Sequence, residues 1–289
     1  MQMRLSGVGV WSGSLRYGDS GEAAEAAAEL EELGFSALWI PDVSGAGLLE
    51  AVENLLGATK RAVVATGILN IWMHEPAEVA DSFARLTADH GDRFLLGIGV
   101  SHARLIDAKE PGRYRKPLAA VTAFLDGLDA AERPVPRDSR VIAALGPKML
   151  RLAAERAAGT HPYLVSPEHT AQVRQELGDG PLVLPEQTVI LCEDRESARA
   201  VGVGWLRNYL SLPNYANNLR RLGFSDEDID TVSDRLFDAI IAWGDEDAVL
   251  RRIEEHRSAG ADHVCVQALD ADPRAFPREQ WRRIGAALR

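Results

Sequence analysis

Short apolar runs alternate with helix-patterned stretches from one end of the chain to the other, and no other feature restricts its fold as strongly. The runs are Leu5–Trp11, Phe35–Ile40, Ala62–Leu69, Arg93–Val100, Arg140–Leu145, Gly159–Val165, Leu182–Cys192 and Asp262–Leu269. Most are nearly continuous in apolar residues, which is the pattern of strands buried on both faces of a parallel sheet. Pro185 confines the regular part of the seventh run to its second half, because proline cannot donate to a ladder. Between the runs, helices carry their own signals. Asp19, with Glu22 three residues on, opens a helix whose Ala23, Ala26, Ala27 and Leu30 recur at helical spacing until Gly34. Pro76 suits a first helical turn, Asp194 caps a long helix, and Ser225 caps one carrying Ile229, Val232, Leu236 and Ile240 on one face. Eight strand–helix units in 289 residues predict an α/β fold, a (β/α)₈ TIM barrel; an open doubly wound sheet is the alternative. No linker divides the chain, so one domain over 1–289 is expected. The segment 204–244, between strands seven and eight, is expected to be a helical insertion at the active-site end, either a lid or a plain structural cap.

Charge narrows the partners. The formal net charge is -11, from 43 acidic and 32 basic residues, which argues against nucleic acid as a partner and leaves room for a local basic pocket. Cys192 and Cys265 sit in apolar runs and are expected as free thiols. The first eleven residues hold no long apolar stretch, no segment is apolar enough to span a membrane, and a cytoplasmic protein is expected.

In such a barrel, chemistry gathers where strands end and βα loops begin. That rule selects Trp11; Pro41 and Asp42; Asn70, Trp72 and His74; Ser101 and His102; Gly146, Pro147 and Lys148; and His161 and Tyr163. Asp42 is a candidate proton acceptor or ligand contact, or else a helix cap. His102 is a candidate acid/base near neutral pH, or a loop histidine without a role. Gly146 allows close backbone approach, and the helix opening at Pro147 offers free amides to an anion. Lys148 in that first turn opposes the helix dipole at a cost of about 0.3–1 kcal/mol, and a bound phosphate would reverse the sign. No metal-ligand spacing, no G-x-S-x-G elbow and no Rossmann fingerprint occurs, so no metal site is expected. The small-residue runs GVGVW and GIGVS instead clear room for barrel packing or a flat ligand.

The opening VGVW, ELGFSALWIPD, ATGILNIW, RFLLGIGVSH and ALGPKML, taken in order, resemble the bacterial luciferase-like flavin and deazaflavin oxidoreductases, above all the actinobacterial coenzyme F420-dependent branch. The resemblance covers nearly the whole chain. It implies the same barrel with an insertion after strand seven, and a flat flavin or deazaflavin ring at the strand C-termini. It implies a bulge in the third strand, often with a non-proline cis peptide, within Gly67, Ile68, Leu69 and Asn70. It places Asp42 near the ring's polar edge, Ser101 and His102 at the end of strand four, and the phosphate at Gly146, Pro147 and Lys148. Tyr163 joins the cofactor-binding candidates. Well-characterised sugar-phosphate members carry a histidine directly after the strand-two acid; here Val43 stands there, so their acid/base scheme does not transfer.

Three functions follow as expectations. The first is an F420-dependent oxidoreductase passing hydride between ring C5 and a small organic substrate, with His102 and Asp42 in the catalytic polar roles. The second keeps the fold and takes FMN and O₂ as a monooxygenase. The third is a barrel binding a phosphorylated metabolite without redox chemistry. A homodimer is expected from the resemblance.

Overall fold

The computed structural model describes residues 5–270, 272 and 275–289. The reading of the amino-terminal stretch rests partly on residues 1–4, which lie outside the described residues. The strands are β1 (Val8–Trp11), β2 (Ala37–Ile40), β3 (Val63–Thr66), β4 (Leu69–Asn70), β5 (Phe94–Gly99), β6 (Arg140–Ile142), β7 (Gly159–Thr160), β8 (Leu182–Val183), β9 (Glu186–Ile190), β10 (Ile241–Trp243) and β11 (Val264–Ala268).

Every pairing is parallel, in the order β10-β9-β11-β1-β2-β3-β5-β6-β7-β8. The run 182–190 closes the ring. Its first half, β8, pairs with β7, and its second half, β9, pairs with β11. The break between the halves falls at Leu184 and Pro185, where proline was expected to limit the strand. The result is the expected α/β barrel.

Burial on both faces explains the apolar runs. Ala37, Trp39, Val63, Ala65, Leu95 and Val141 point inward and fill the barrel, while Leu38, Ile40, Val64, Phe94, Leu96 and Ile98 pack outward under the helices. This two-sided burial is what a strand of period two requires when helices cover the sheet. Asp19 caps the helix Ser20–Glu32 by accepting from the Gly21 and Glu22 amides, as expected. Asp194 and Ser225 cap their helices as well.

Four of the expected elements are corrected. Strand five stops at Ile142 and strand six at Thr160, so 143–145 and 161–165 leave the sheet. The single helix expected after Ser225 is two, Asp226–Thr231 and Asp234–Ile240, separated where Val232 turns left-handed (φ 53°) and Ser233 caps the second. The residues after it form a strand the helical pattern concealed. Because β7 ends early, the outer edge of β9 is free from Thr188 onward, and Ile241–Trp243 fills it.

The third strand departs from regular pairing in a way that shapes the site. Ala65 faces Leu95 on β5, but Leu69 faces Ile98, so three residues on one strand oppose two on the other. That is a bulge. Within it the Gly67–Ile68 peptide is cis, where the resemblance placed such a bond. The ladder bonds lost at the bulge are replaced by a side chain: the Thr66 hydroxyl donates to Gly97 O (2.7 Å) and accepts from Gly97 N–H (2.8 Å). Gly97 lacks a side chain for a plain reason, since a Cβ there would sit 1.9 Å from Thr66 O. Gly99 makes room for the Ile68 side chain in the same manner.

Candidate functional site

At the C-terminal end of the barrel the loops after several strands surround a cavity of about 730 Å³. Its floor includes Trp11, Gly67, Ile68 and His161. The Trp11 indole N–H donates to Gly67 O (3.0 Å), fixing the indole against the bulge. One wall carries Asp42, Ser101 and His102, and another carries Leu145, Gly146 and Met149. The helices Arg195–Leu210 and Pro213–Arg221 and the turn between them supply the remaining side, with Tyr209, Leu212, Asn214, Tyr215 and Arg221.

The expected site residues divide in two. Asp42, Gly67, Ile68, Ser101, His102, Gly146 and Tyr163 line this one cavity. Leu69, Asn70, Pro147 and Lys148 do not. Leu69 is buried under the helices, and the Asn70 side chain accepts from the Trp72 amide. Pro147 and Lys148 are exposed, and the residue of that first turn facing the cavity is Met149. The cation beside Gly146 is instead Arg221. Its guanidinium donates to Leu145 O (3.3 Å) and to Asn218 Oδ1 (2.8 Å) and lies 3.8 Å from where a Gly146 Cβ would stand.

Asp42 is not free to take a proton. One carboxylate oxygen accepts from Gly45 N–H (2.7 Å); the other accepts from Asn70 N–H (3.2 Å) and meets His74 Nε2 at 2.8 Å. Burial alone would raise its pKa, but the bonds from His74, Asn70 and Gly45 outweigh burial and hold it below the ordinary carboxylate range. An ionised acceptor already holding three donors orients its loop; it is poorly disposed to act as a base.

His102 is better placed. Its Nδ1 lies 3.1 Å from Asn214 Oδ1, and its ring packs against Tyr215. An amide oxygen only accepts, so Nδ1 carries the hydrogen and Nε2 keeps the lone pair of the neutral ring. Burial lowers its pKa, partly countered by the Asn214 bond. The ring is therefore neutral at pH 7 and able to accept.

Aromatic hydroxyls form a chain along the cavity wall. The Tyr163 hydroxyl lies 2.6 Å from Gln267 Oε1 and 3.0 Å from the Tyr209 hydroxyl. Burial raises the pKa of Tyr163 well above its ordinary value and pushes Tyr209 up to about 12, so both stay protonated. Under them Glu186 is fully buried, and burial pushes its pKa up to about 7 despite bonds from Thr188 and Leu164. His161 stacks on Trp39 at 4.2 Å and donates through Nδ1 to Leu184 O (2.7 Å). Burial brings its pKa down to about 4.

Sequence reasoning from strand ends missed Arg104, Asn214, Tyr215 and Arg221, which come from helices. The available signal was the run Asn214, Asn217 and Arg221, spaced to share one face of the helix Pro213–Arg221. Among the described residues no group of histidine, cysteine and carboxylate side chains is arranged to hold a metal, and no helix is long and apolar enough to cross a membrane. Both cysteines are free; Cys265 is buried and Cys192 is partly exposed.

The family model described as luciferase-like monooxygenase matches residues 5–263. A protein of Mycobacterium tuberculosis named as a coenzyme F420-dependent oxidoreductase is 23% identical over 318 residues, covering 86% of this chain and 91% of the relative. The structure of an F420-dependent secondary alcohol dehydrogenase, in complex with an F420–acetone adduct, superposes with a TM-score of 0.74 at 16% identity, covering 99% of this chain and all of the other (100%). A coenzyme F420-dependent tetrahydromethanopterin reductase from Methanopyrus kandleri gives 0.74 at 18% identity, covering 98% of each chain.

Proposed function

The chain belongs to the luciferase-like monooxygenase family and is a luciferase-like oxidoreductase; from that premise we propose that it uses coenzyme F420 to transfer hydride to or from a small, uncharged organic substrate. The observation that carries the reading is the Gly67–Ile68 bulge, which presents flat backbone and one aliphatic side chain on the cavity floor beside Trp11. A flat ring would be held against Gly67 and Ile68, with its polar edge toward the strand-two and strand-four loops and its phosphate toward Gly146. Bound there, the deazaflavin would supply the hydride chemistry. The protein's part is to orient, to exclude water and to handle a proton.

His102 is the residue proposed for the proton. With Nδ1 committed to Asn214, its Nε2 accepts the hydroxyl proton when an alcohol is oxidised and returns it in the reverse direction. Asp42, first expected beside it as a catalytic group, is proposed as a positioning residue that holds Asn70 and His74 in place. Trp11, Leu105, Leu212 and Tyr215 form an apolar and aromatic wall that favours an uncharged substrate and keeps water away. The segment 204–244 is proposed as the cover of this site within one domain. A cytoplasmic homodimer is the setting the family resemblance suggests, and light scattering on the purified chain tests the dimer.

The activity is tested by mixing the protein with oxidised F420 and a panel of secondary alcohols, or with reduced F420 and the matching ketones, and following the cofactor's visible absorption. Turnover with uncharged members and little with charged ones is expected. No exchange with F420, together with O₂-dependent product formation on reduced FMN, would overturn the assignment of cofactor.

A further inference from the structure

The charge on the cavity lining opposes that of the whole molecule. The chain carries a formal net charge of -11. Yet the lining holds two arginines, Arg104 and Arg221, and one carboxylate, Asp42. That carboxylate is buried and bound to His74. Among the described residues neither guanidinium has a carboxylate partner: Arg104 donates to the Ser211 hydroxyl (3.3 Å), and Arg221 to Leu145 O and the Asn218 amide oxygen. Arg220, the immediate neighbour of Arg221, does find a carboxylate, pairing with Asp226 at 2.6 Å, whereas Arg207 and Arg251 on the outer surface do not among the described residues; what sets Arg104 and Arg221 apart is that they line the cavity.

Both cations also bridge the cavity. Arg104 reaches from the helix Ala103–Lys109 to Ser211, which ends the helix Arg195–Leu210, and Arg221 reaches from the end of the helix Pro213–Arg221 to the loop after β6. They stand at the rim, where the part of a ligand that is not enclosed must leave. Resting on the reading of the site given above, we infer that Arg104 and Arg221 form a two-point anion clamp that binds the negatively charged tail of the cofactor and selects for it. The ligand class is a planar ring joined to a chain bearing a phosphodiester and further carboxylates. Arg221, beside Gly146, takes the phosphate, because its guanidinium fork and the Lys148 N–H then share one anion; Pro147 has no N–H, and the Met149 and Leu150 amides already donate to Gly146 O. Arg104 meets the carboxylates beyond it. Lys148, exposed and outside the cavity, has the lesser part.

Equilibrium binding to F420 and to its phosphate-free deazaflavin chromophore separates tail from ring. The proteins compared are the unmodified chain, Arg104→Gln, Arg221→Gln and the double variant, each at low and at physiological salt. Each single change is expected to weaken F420 about tenfold at low salt, and less at physiological salt, where the Debye length of about 8 Å screens exposed charge. Chromophore affinity should stay within about twofold, which also shows that the variants fold. Undiminished F420 affinity in the double variant would overturn the clamp. Equal loss for F420 and chromophore would overturn it too, because the arginines would then act on the ring site or the fold. An unmodified chain that fails to bind the chromophore would instead sink the functional reading, and the clamp with it.

Discussion

At the scale of single residues, the polar groups of the cavity separate by what already occupies them. Asp42 spends both oxygens on three donors, whereas His102 spends one nitrogen on Asn214 and keeps the other. Asp42→Asn leaves one acceptor oxygen and turns an NH₂ group toward a donor. A loss of about 1–3 kcal/mol in denaturant unfolding is expected, and an unchanged midpoint would show that the carboxylate does not hold these loops. His102→Phe is expected to lower kcat about 10²–10⁴-fold while F420 still binds. Burial holds the His102 pKa below the ordinary histidine value, so its lone pair survives through neutral pH. Alcohol oxidation should therefore be flat across neutrality and fall only in acid, and a rate that falls already between pH 8 and 7 would exclude His102 as the acceptor. Asp42 and His102 were legible because strand ends mark them. Arg221 was not, because it enters from a helix that no strand end announces. Lys148 lies outside the cavity lining, because position in a first turn does not fix which way a side chain faces.

At the scale of elements, the bulge in the third strand is the feature on which the cavity floor depends. The resemblance located it within four residues, but its construction could not be read from the chain. It needs Thr66 on one strand and Gly97 on the next, thirty-one residues apart and joined only by the barrel. Thr66→Val keeps the shape and removes the hydroxyl, leaving a buried N–H and a buried C=O without partners. The expected cost is about 2–5 kcal/mol in unfolding free energy, together with weakened binding of a flat cofactor. A near-neutral change would mean that the ladder re-forms without the side chain. The helical reading of 241–243 failed for a related reason. Ile, Ala and Trp suit either state, and only the free edge of β9, exposed by the early end of β7, decides for a strand.

At the scale of the whole molecule, the barrel was legible because eight two-sided apolar runs admit few other arrangements. What lies inside was less legible, since the interior is polar as well as apolar. His161 and His169 titrate at about 4, and His256 and His263 at about 3, each lowered chiefly by burial. Between pH 6.5 and about 4.5 the unfolded chain therefore binds these protons and the folded chain does not. Glu186 acts in the opposite sense. Its pKa, raised to about 7, keeps a proton in the folded state that the unfolded chain has lost. The four histidines outnumber Glu186, so the unfolded chain binds more protons than the folded one, and stability should fall as pH drops through this window, most steeply at its acid end. Denaturant unfolding at several pH values checks the slope, and a flat profile would mean that the buried histidines are charged in the folded protein. The central claim is that this mouth holds a deazaflavin ring on the Gly67–Ile68 bulge. A crystal structure of the protein with F420 tests it most directly. The account predicts the ring against Ile68 with its phosphate at Gly146 and Arg221. A ring bound away from the bulge, or a phosphate at Lys148 with Arg221 turned away, would contradict it.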